Sequence, residues 1–297
     1  MAGAKKKLLL TGASGFLGYH LLRVFVSDWE VYGIYNNHAF DFIGATSVKC
    51  DITNYIDLGN YFDDIEPDAV IHTAAIADAN YCQQNPEISY RINVEASKNL
   101  AGICSDFQIP FAFTSTDLVF DGKKGMYAEG DEKNPLSVYG EHKSIAEDEI
   151  LKIYPEATIF RVPLMFGNPQ ASAGNYLHSF IKQLKNGEPV NLFNDEYRSV
   201  CGAKSISRGI LKLLGKTEGI VHLAGNERLS RYQFGLKAAR AFGLNATGIK
   251  EVSQKAMQFA APRPADVSLD IKKAILSGFS PLSVDEELTL IANGKYI

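Results

Sequence analysis

The stretch LLLTGASGFLGYHLL, residues 8–22, constrains the fold of this chain more than any other. An apolar run of strand character leads into Gly12, Gly15 and Gly18, and Leu17, Leu21, Val24 and Phe25 then follow helical spacing. Glycines between a strand and a helix let the backbone turn tightly and approach a pyrophosphate. The last of them lets the helix lie close to the sheet. The helix N-terminus then presents free N–H groups and a positive dipole end to the phosphates. The spacing is G-x-x-G-x-x-G rather than G-x-G-x-x-G, and its place after the first strand favours a phosphate loop over an ordinary turn.

The rest of the first half repeats the alternation. KLLL (7–10), EVYGIYN (30–36), AVIHTAA (69–75), PFAFTST (110–116) and TIFRVP (158–163) read as strands, with helical patterns such as Ile92, Ala96 and Leu100 between them. Such alternation predicts an α/β fold, a doubly wound parallel sheet with helices on both faces and its ligand at the carboxyl ends of the strands. After RVPLMFGNPQASAGN (161–175), a stretch rich in turn residues, the order loosens. Helices are expected over 175–187, 205–216 and 232–243, and a strand over 219–225. The division expected is a dinucleotide-binding domain over 1–165, with 198–224 returning to it, and a smaller, mainly substrate-binding lobe over 166–297.

The formal net charge of -4, with no long basic run, argues against a nucleic-acid partner. No apolar run approaches membrane-spanning length, and MAGAKKKLLL lacks the longer apolar stretch of a signal peptide. A cytoplasmic protein without a membrane partner is expected. Cys50, Cys82, Cys104 and Cys201 form no C-x-x-C, and the six histidines show no H-E-x-x-H. Reduced, buried thiols and no metal are the expectation.

SVYGEHKSIAE (137–147) places Tyr139 and Lys143 four residues apart, hence on one face if helical. Pro135 suits the first turn of such a helix. A hydride delivered to a ketone leaves negative charge on the carbonyl oxygen, which must be hydrogen-bonded and then protonated. A tyrosine has an unperturbed pKa of about 10, and a neighbouring ammonium favours its phenolate and lowers that value. A third hydroxyl should stand near the end of the preceding strand, where Thr114, Ser115, Thr116 and Asp117 are the candidates.

These motifs resemble the extended short-chain dehydrogenase/reductases. TGASGFLG (11–18) is similar to their cofactor loop, Tyr139 and Lys143 to their Y-x-x-x-K, and Asp51 of KCDITN to the acidic residue that contacts adenine. Residues 72–101, Asn93 included, resemble the stretch after their fourth strand. STDLVFDG (115–122) and RPADVSLD (263–270) are similar to the branch containing dTDP-4-dehydrorhamnose reductase and the regulatory β subunit of methionine adenosyltransferase.

The resemblance selects Thr116, with Tyr139 and Lys143, as the catalytic group, and gives Lys143 the nicotinamide ribose as well. It implies cofactor contacts from Thr11, Gly12, Ser14, Gly15, Phe16, Leu17, Gly18, Tyr35, Asn36, Asp51, Ile52, Ala74, Ala75 and Asn93. It implies a nucleotide-sugar substrate held by Thr116, Asp117, Arg198 and Arg263, the arginines being similar to those that grip diphosphate in sugar-nucleotide epimerases. Leu118 replaces a tyrosine common in the branch, and NDEYRSVCG (194–202) replaces its D-Q-x-G-x-P, so the sugar is left open.

The expected activity is NAD(P)H-dependent reduction of a 4-keto sugar nucleotide. A non-catalytic dinucleotide-binding regulatory subunit and a sugar-nucleotide epimerase are the alternatives, and a homodimer is possible in each case. YNNH (35–38) carries no carboxylate at the position that would read a ribose 2′-OH, which favours NADP(H) while leaving NAD(H) possible.

Overall fold

The computed structural model describes residues 4–168 and 176–296. Seven parallel strands form the central sheet. They are β1 (Lys6–Thr11), β2 (Trp29–Tyr35), β3 (Ala45–Lys49), β4 (Ala69–His72), β5 (Phe111–Thr116), β6 (Thr158–Val162) and a last strand, Gly219–His222. Their order across the sheet is Gly219–His222, β6, β5, β4, β1, β2, β3. The reversal between β1 and β4 opens the crevice in which doubly wound sheets bind ligands.

Helices α1 (Phe16–Phe25), α2 (Tyr55–Ile65), α3 (Ala79–Gln84), α4 (Pro86–Tyr90), α5 (Ala96–Asp106) and α6 (Val138–Ile153) belong to the first half. Further on come α7 (Tyr176–Lys185), α8 (Ala203–Leu213), α9 (Arg231–Ala241), α10 (Lys272–Leu276) and α11 (Val284–Ala292). No helix among the described residues is long and apolar enough to cross a membrane.

The leucine run of β1 is buried from Leu8 to Leu10, as a strand covered on both faces requires. Successive side chains point to opposite faces. Leu8 and Leu10 join the core under α1 and α8, whereas Leu9 joins the core under α2, α5 and α6. A third core, around Phe180, Phe234 and Leu288, lies within the C-terminal lobe of α7, α9 and α11. The chain leaves β6 for this lobe and returns to the sheet at Gly219–His222, with α8 packed on α1.

Three local expectations need correction. The sequence pattern does not mark the edge strand β3, because ATSVK is mostly exposed and carries a single branched aliphatic, Val48. Strand β4 ends at His72, three residues short of the expected 69–75 run. Helix α6 starts at Val138, capped by Ser137, which accepts the Gly140 N–H at 3.2 Å, so Pro135 precedes the helix. The 161–175 loop is described only to residue 168; residues 169–175 lie outside the described part.

Candidate active site

Gly12 adopts φ +70, a conformation that favours glycine, and a Cβ there would lie 2.7 Å from the Ala74 nitrogen and from Thr73 Oγ1. A Cβ on Gly18 would lie 2.1 Å from the Gly12 carbonyl oxygen. Gly15 differs: its Cβ would meet only that oxygen, at 3.1 Å. Gly15 caps α1 without a side-chain hydrogen bond, and the first turn has no acidic residue, so its N–H groups remain available to an anion.

Beneath the loop, Thr11 Oγ1 lies 2.6 Å from His72 Nδ1 and accepts the N–H groups of Thr73 and Ala74 at 3.2 and 3.3 Å. His72 Nε2 lies 2.9 Å from Ser97 Oγ. Burial lowers the His72 pKa to about 3, with Lys143 adding to the effect, so the imidazole stays neutral and serves as a brace.

The loop opens on a cleft of about 300 Å³ that Gly12, Ser14 and Gly15 line at the phosphate end. Tyr35, Asn36, Asp51, Ile52, Ala74 and Ala75 line the same cleft. Asp51 Oδ1 accepts the Thr53 N–H and hydroxyl at 2.9 and 2.8 Å, which fixes its carboxylate. The tight Gly12 and Gly18 approaches, the helix start without a side-chain cap and the cleft running from Gly12 and Gly15 to Tyr35 and Asp51 fit a dinucleotide. Phe16 faces the neighbouring pocket, and Leu17 turns into the core.

Asn93 is placed differently from the expected cofactor contact. It is fully buried, its Oδ1 accepts the Ile76 N–H at 2.9 Å, and its Nδ2 donates to the Ile76 carbonyl at 3.0 Å and to Ser89 Oγ at 3.2 Å. Asn93 orders the loop that walls the cleft, from within a π-helical turn at Arg91–Glu95.

Thr116 is the last residue of β5, and Tyr139 and Lys143 lie one turn apart on α6, all buried. Thr116 Oγ1 donates to Asp117 Oδ1 and accepts the Leu118 N–H, both at 3.2 Å. Burial pushes the Tyr139 phenol well above its ordinary range, and Asp117 adds to this, while Thr116 and Arg198 oppose it. The direction is opposite to the expected lowering, because burial outweighs the groups that favour the phenolate.

Lys143 is lowered to about 7 by burial, against the opposing charge of Glu147. Its Nζ sits 3.8 Å from the centroid of the Phe113 ring. Glu147, one turn further on, is fully buried and takes Arg161 Nε and Nη2 at 2.9 and 2.7 Å, as well as the Ser115 hydroxyl. Thus Ser115, the neighbour of Thr116, faces the opposite side of the strand, as alternation demands.

Thr116 and Tyr139 line a second pocket of about 400 Å³ together with Asp117, Arg198, Arg231 and Arg263. Arg198 Nη1 donates to Asp117 Oδ1 at 2.7 Å, and its Nη2 lies 3.4 Å from Glu196 Oε1. Arg231 Nε donates to Glu196 Oε1 at 3.0 Å, and Arg263 Nη1 lies 3.6 Å from Glu196 Oε2. Burial works to raise the Glu196 pKa, but Arg231 and Arg198 outweigh it and hold the carboxylate low. Asp117 goes the other way: burial raises it despite Arg198. Sequence reading missed both Arg231 and Glu196. Arg231 stands in no motif, the stretch 194–202 points only to Arg198, and only the folded chain brings residues 117, 196, 198, 231 and 263 together.

A Rossmann sheet with Thr, Tyr and Lys at its carboxyl edge defines a class, the extended short-chain dehydrogenase/reductases. Within it, the chain belongs to the RmlD substrate binding domain family, which it matches over residues 6–294. It is 31% identical over 267 residues to a probable low-salt glycan biosynthesis reductase of Haloferax volcanii, covering 88% of this chain and 89% of that one. It is 26% identical to the methionine adenosyltransferase 2 subunit beta of Danio rerio, over 93% and 86% of the two chains. Its fold superposes on the crystal structure of a hypothetical dTDP-4-dehydrorhamnose reductase from Sulfolobus tokodaii with a TM-score of 0.83. The two are 33% identical, over 94% of this chain and 98% of that one.

Proposed function

We propose that this chain is an NAD(P)H-dependent reductase of a 4-keto sugar nucleotide. The observation that carries the reading is the sharing of one pocket by Tyr139, Thr116 and three arginines. A bound reduced nicotinamide would supply the hydride. Tyr139, kept protonated by burial, donates its proton to the carbonyl oxygen as charge develops there. Thr116 rotates its hydroxyl from Asp117 toward that oxygen and stabilises the same charge. Lys143 in its cationic form favours the ionised phenol left behind, and so lowers the cost of the transfer. Arginines of this pocket would hold the diphosphate, and the carboxylate-free segment Tyr35–His38 would admit NADPH more readily than NADH.

The relatives of the adenosyltransferase subunit type raise a regulatory reading, and the intact Thr116–Tyr139–Lys143 group supports turnover over it. The test is loss of nicotinamide absorbance when the chain is mixed with NADPH and dTDP-4-dehydrorhamnose or another 4-keto nucleotide sugar. Turnover is expected. A chain that binds NADPH and reduces none of them would overturn the reductase reading and leave a dinucleotide-binding subunit.

A further inference from the structure

Among the described residues, eight buried side-chain polar atoms lack a hydrogen-bond partner, and five of them gather at the substrate pocket. They are Asp117 Oδ2, Tyr176 Oη, Arg198 Nε, Arg231 Nη1 and Glu196 Oε2. Buried polar groups are usually paired, so such a concentration marks a place built for a polar ligand.

The three arginines there are not equivalent. Arg198 is bonded at both terminal nitrogens, to Asp117 and Glu196, and is buried. Its fork is turned toward carboxylates. Arg231 is held differently. As the first residue of α9 it donates its backbone N–H to the Glu196 carbonyl at 3.2 Å and its Nε to the Glu196 carboxylate at 3.0 Å. Its guanidinium lies 4.6 Å from the centroid of the Tyr176 ring, and Nη1 is left without a partner. Among the described residues, Arg263 makes one ion-pair approach, 3.6 Å to Glu196, and its guanidinium lies 4.1 Å from the centroid of the Phe259 ring. Among the described residues, Asp117 and Glu196 are the two carboxylates paired with these three guanidiniums, so one positive charge stays uncompensated.

We propose that Arg231, aimed by Glu196, is the principal anion-binding residue of this pocket, acting with Arg263, while Arg198 holds Asp117 in place. The assignment rests on the nucleotide-sugar reading for the identity of the anion, the diphosphate of that substrate. Two guanidiniums sharing one carboxylate keep donors free for bridging phosphate oxygens. The Tyr176 hydroxyl is a further donor beside them.

The test is calorimetric titration of the whole chain with thymidine diphosphate, and separately with inorganic pyrophosphate. Arg231→Gln is expected to weaken both by at least tenfold, Arg263→Gln to weaken both less, and neither to change NADPH affinity. Arg231→Lys keeps the charge and loses the fork, and should fall between wild type and Gln. It decides the matter should the Gln variant fail to fold. Wild-type affinity for both probes in either folded Arg231 variant would overturn the assignment. A wild type that binds pyrophosphate and no nucleotide, with the binding lost in Arg231→Gln, upholds the anion site and sinks the nucleotide-sugar reading. Binding of neither probe by the wild type overturns both.

Discussion

Arg198 Nη1 stands 2.7 Å from Asp117 Oδ1 with both side chains buried, and this pair ties the end of β5 to the segment between α7 and α8. Removing one partner of such a pair leaves a buried charge uncompensated, at a cost of about 3–5 kcal/mol. Arg198→Ala is therefore expected to lose stability of that order in urea denaturation. Asp117→Asn combined with Arg198→Gln should lose less, because no lone charge remains. A folded Arg198→Ala chain of wild-type stability, impaired only in substrate KM, would return Arg198 to the role of a diphosphate ligand.

The glycine loop gives two substitutions with opposite outcomes. A Cβ on Gly15 meets the protein only at the Gly12 carbonyl oxygen, tightly at 3.1 Å, and Gly15 lines the cleft, so Gly15→Val should remove NADPH binding at a stability cost smaller than that of Gly18→Ala. A Cβ on Gly18 collides with the Gly12 carbonyl, so Gly18→Ala should lower stability itself, by about 1–3 kcal/mol as overpacking does. Calorimetric titration and thermal melts of the two variants check this. Unchanged dinucleotide affinity in a folded Gly15→Val chain would make the loop structural only.

The sheet was legible in the sequence because parallel strands buried on both faces are written as unbroken apolar runs, as in Leu8–Leu10. Gly12, Gly15, Tyr139 and Lys143 were legible because local spacing alone sets their relation. What escaped depends on contacts across the chain. Arg231 is the first residue of an ordinary capped helix, and only the folded position of Glu196, 35 residues earlier, gives it a task. Asn93 reads as a contact residue in its motif, yet the backbone of Ile76 takes up its amide. The proximity of Tyr139 to Lys143 can be read from sequence, whereas the burial that raises its pKa cannot.

Lys143 gives the pH dependence. Burial lowers it to about 7, so the cation of the free protein is lost as pH rises through that value, and kcat/KM should fall with it. Lys143→Arg stays charged and should remove this alkaline limb. Stability should move the other way. Between about 7 and the ordinary lysine value of about 10.4 the unfolded chain holds a proton that the folded chain has released, so stability rises with pH. Lys143→Met should flatten that rise. A wild-type urea midpoint that falls across this range, with the Met variant unchanged, would contradict the assignment.

Cofactor preference turns on Tyr35, the last residue of β2, which lines the cleft with Asn36, Asn37 and His38. The segment Tyr35–His38 holds no carboxylate to repel a 2′-phosphate and no lysine or arginine to bind it. Steady-state kinetics should show NADPH preferred by a modest factor. Tyr35→Asp supplies both an acceptor for the 2′-OH and repulsion of the phosphate, and should reverse the preference. A wild type that strongly prefers NADH would mean that a group outside this segment reads the ribose.

The central claim is that Tyr139 delivers the proton. Tyr139→Phe keeps the ring and loses only the hydroxyl, so NADPH affinity should stay within about twofold of wild type. The measurement is single-turnover loss of nicotinamide absorbance with a saturating 4-keto nucleotide sugar. A fall of 10²–10⁴-fold in the Phe variant is the expected result, the usual worth of a positioned acid. Oxidation of NADPH by Tyr139→Phe at the wild-type rate would contradict the account.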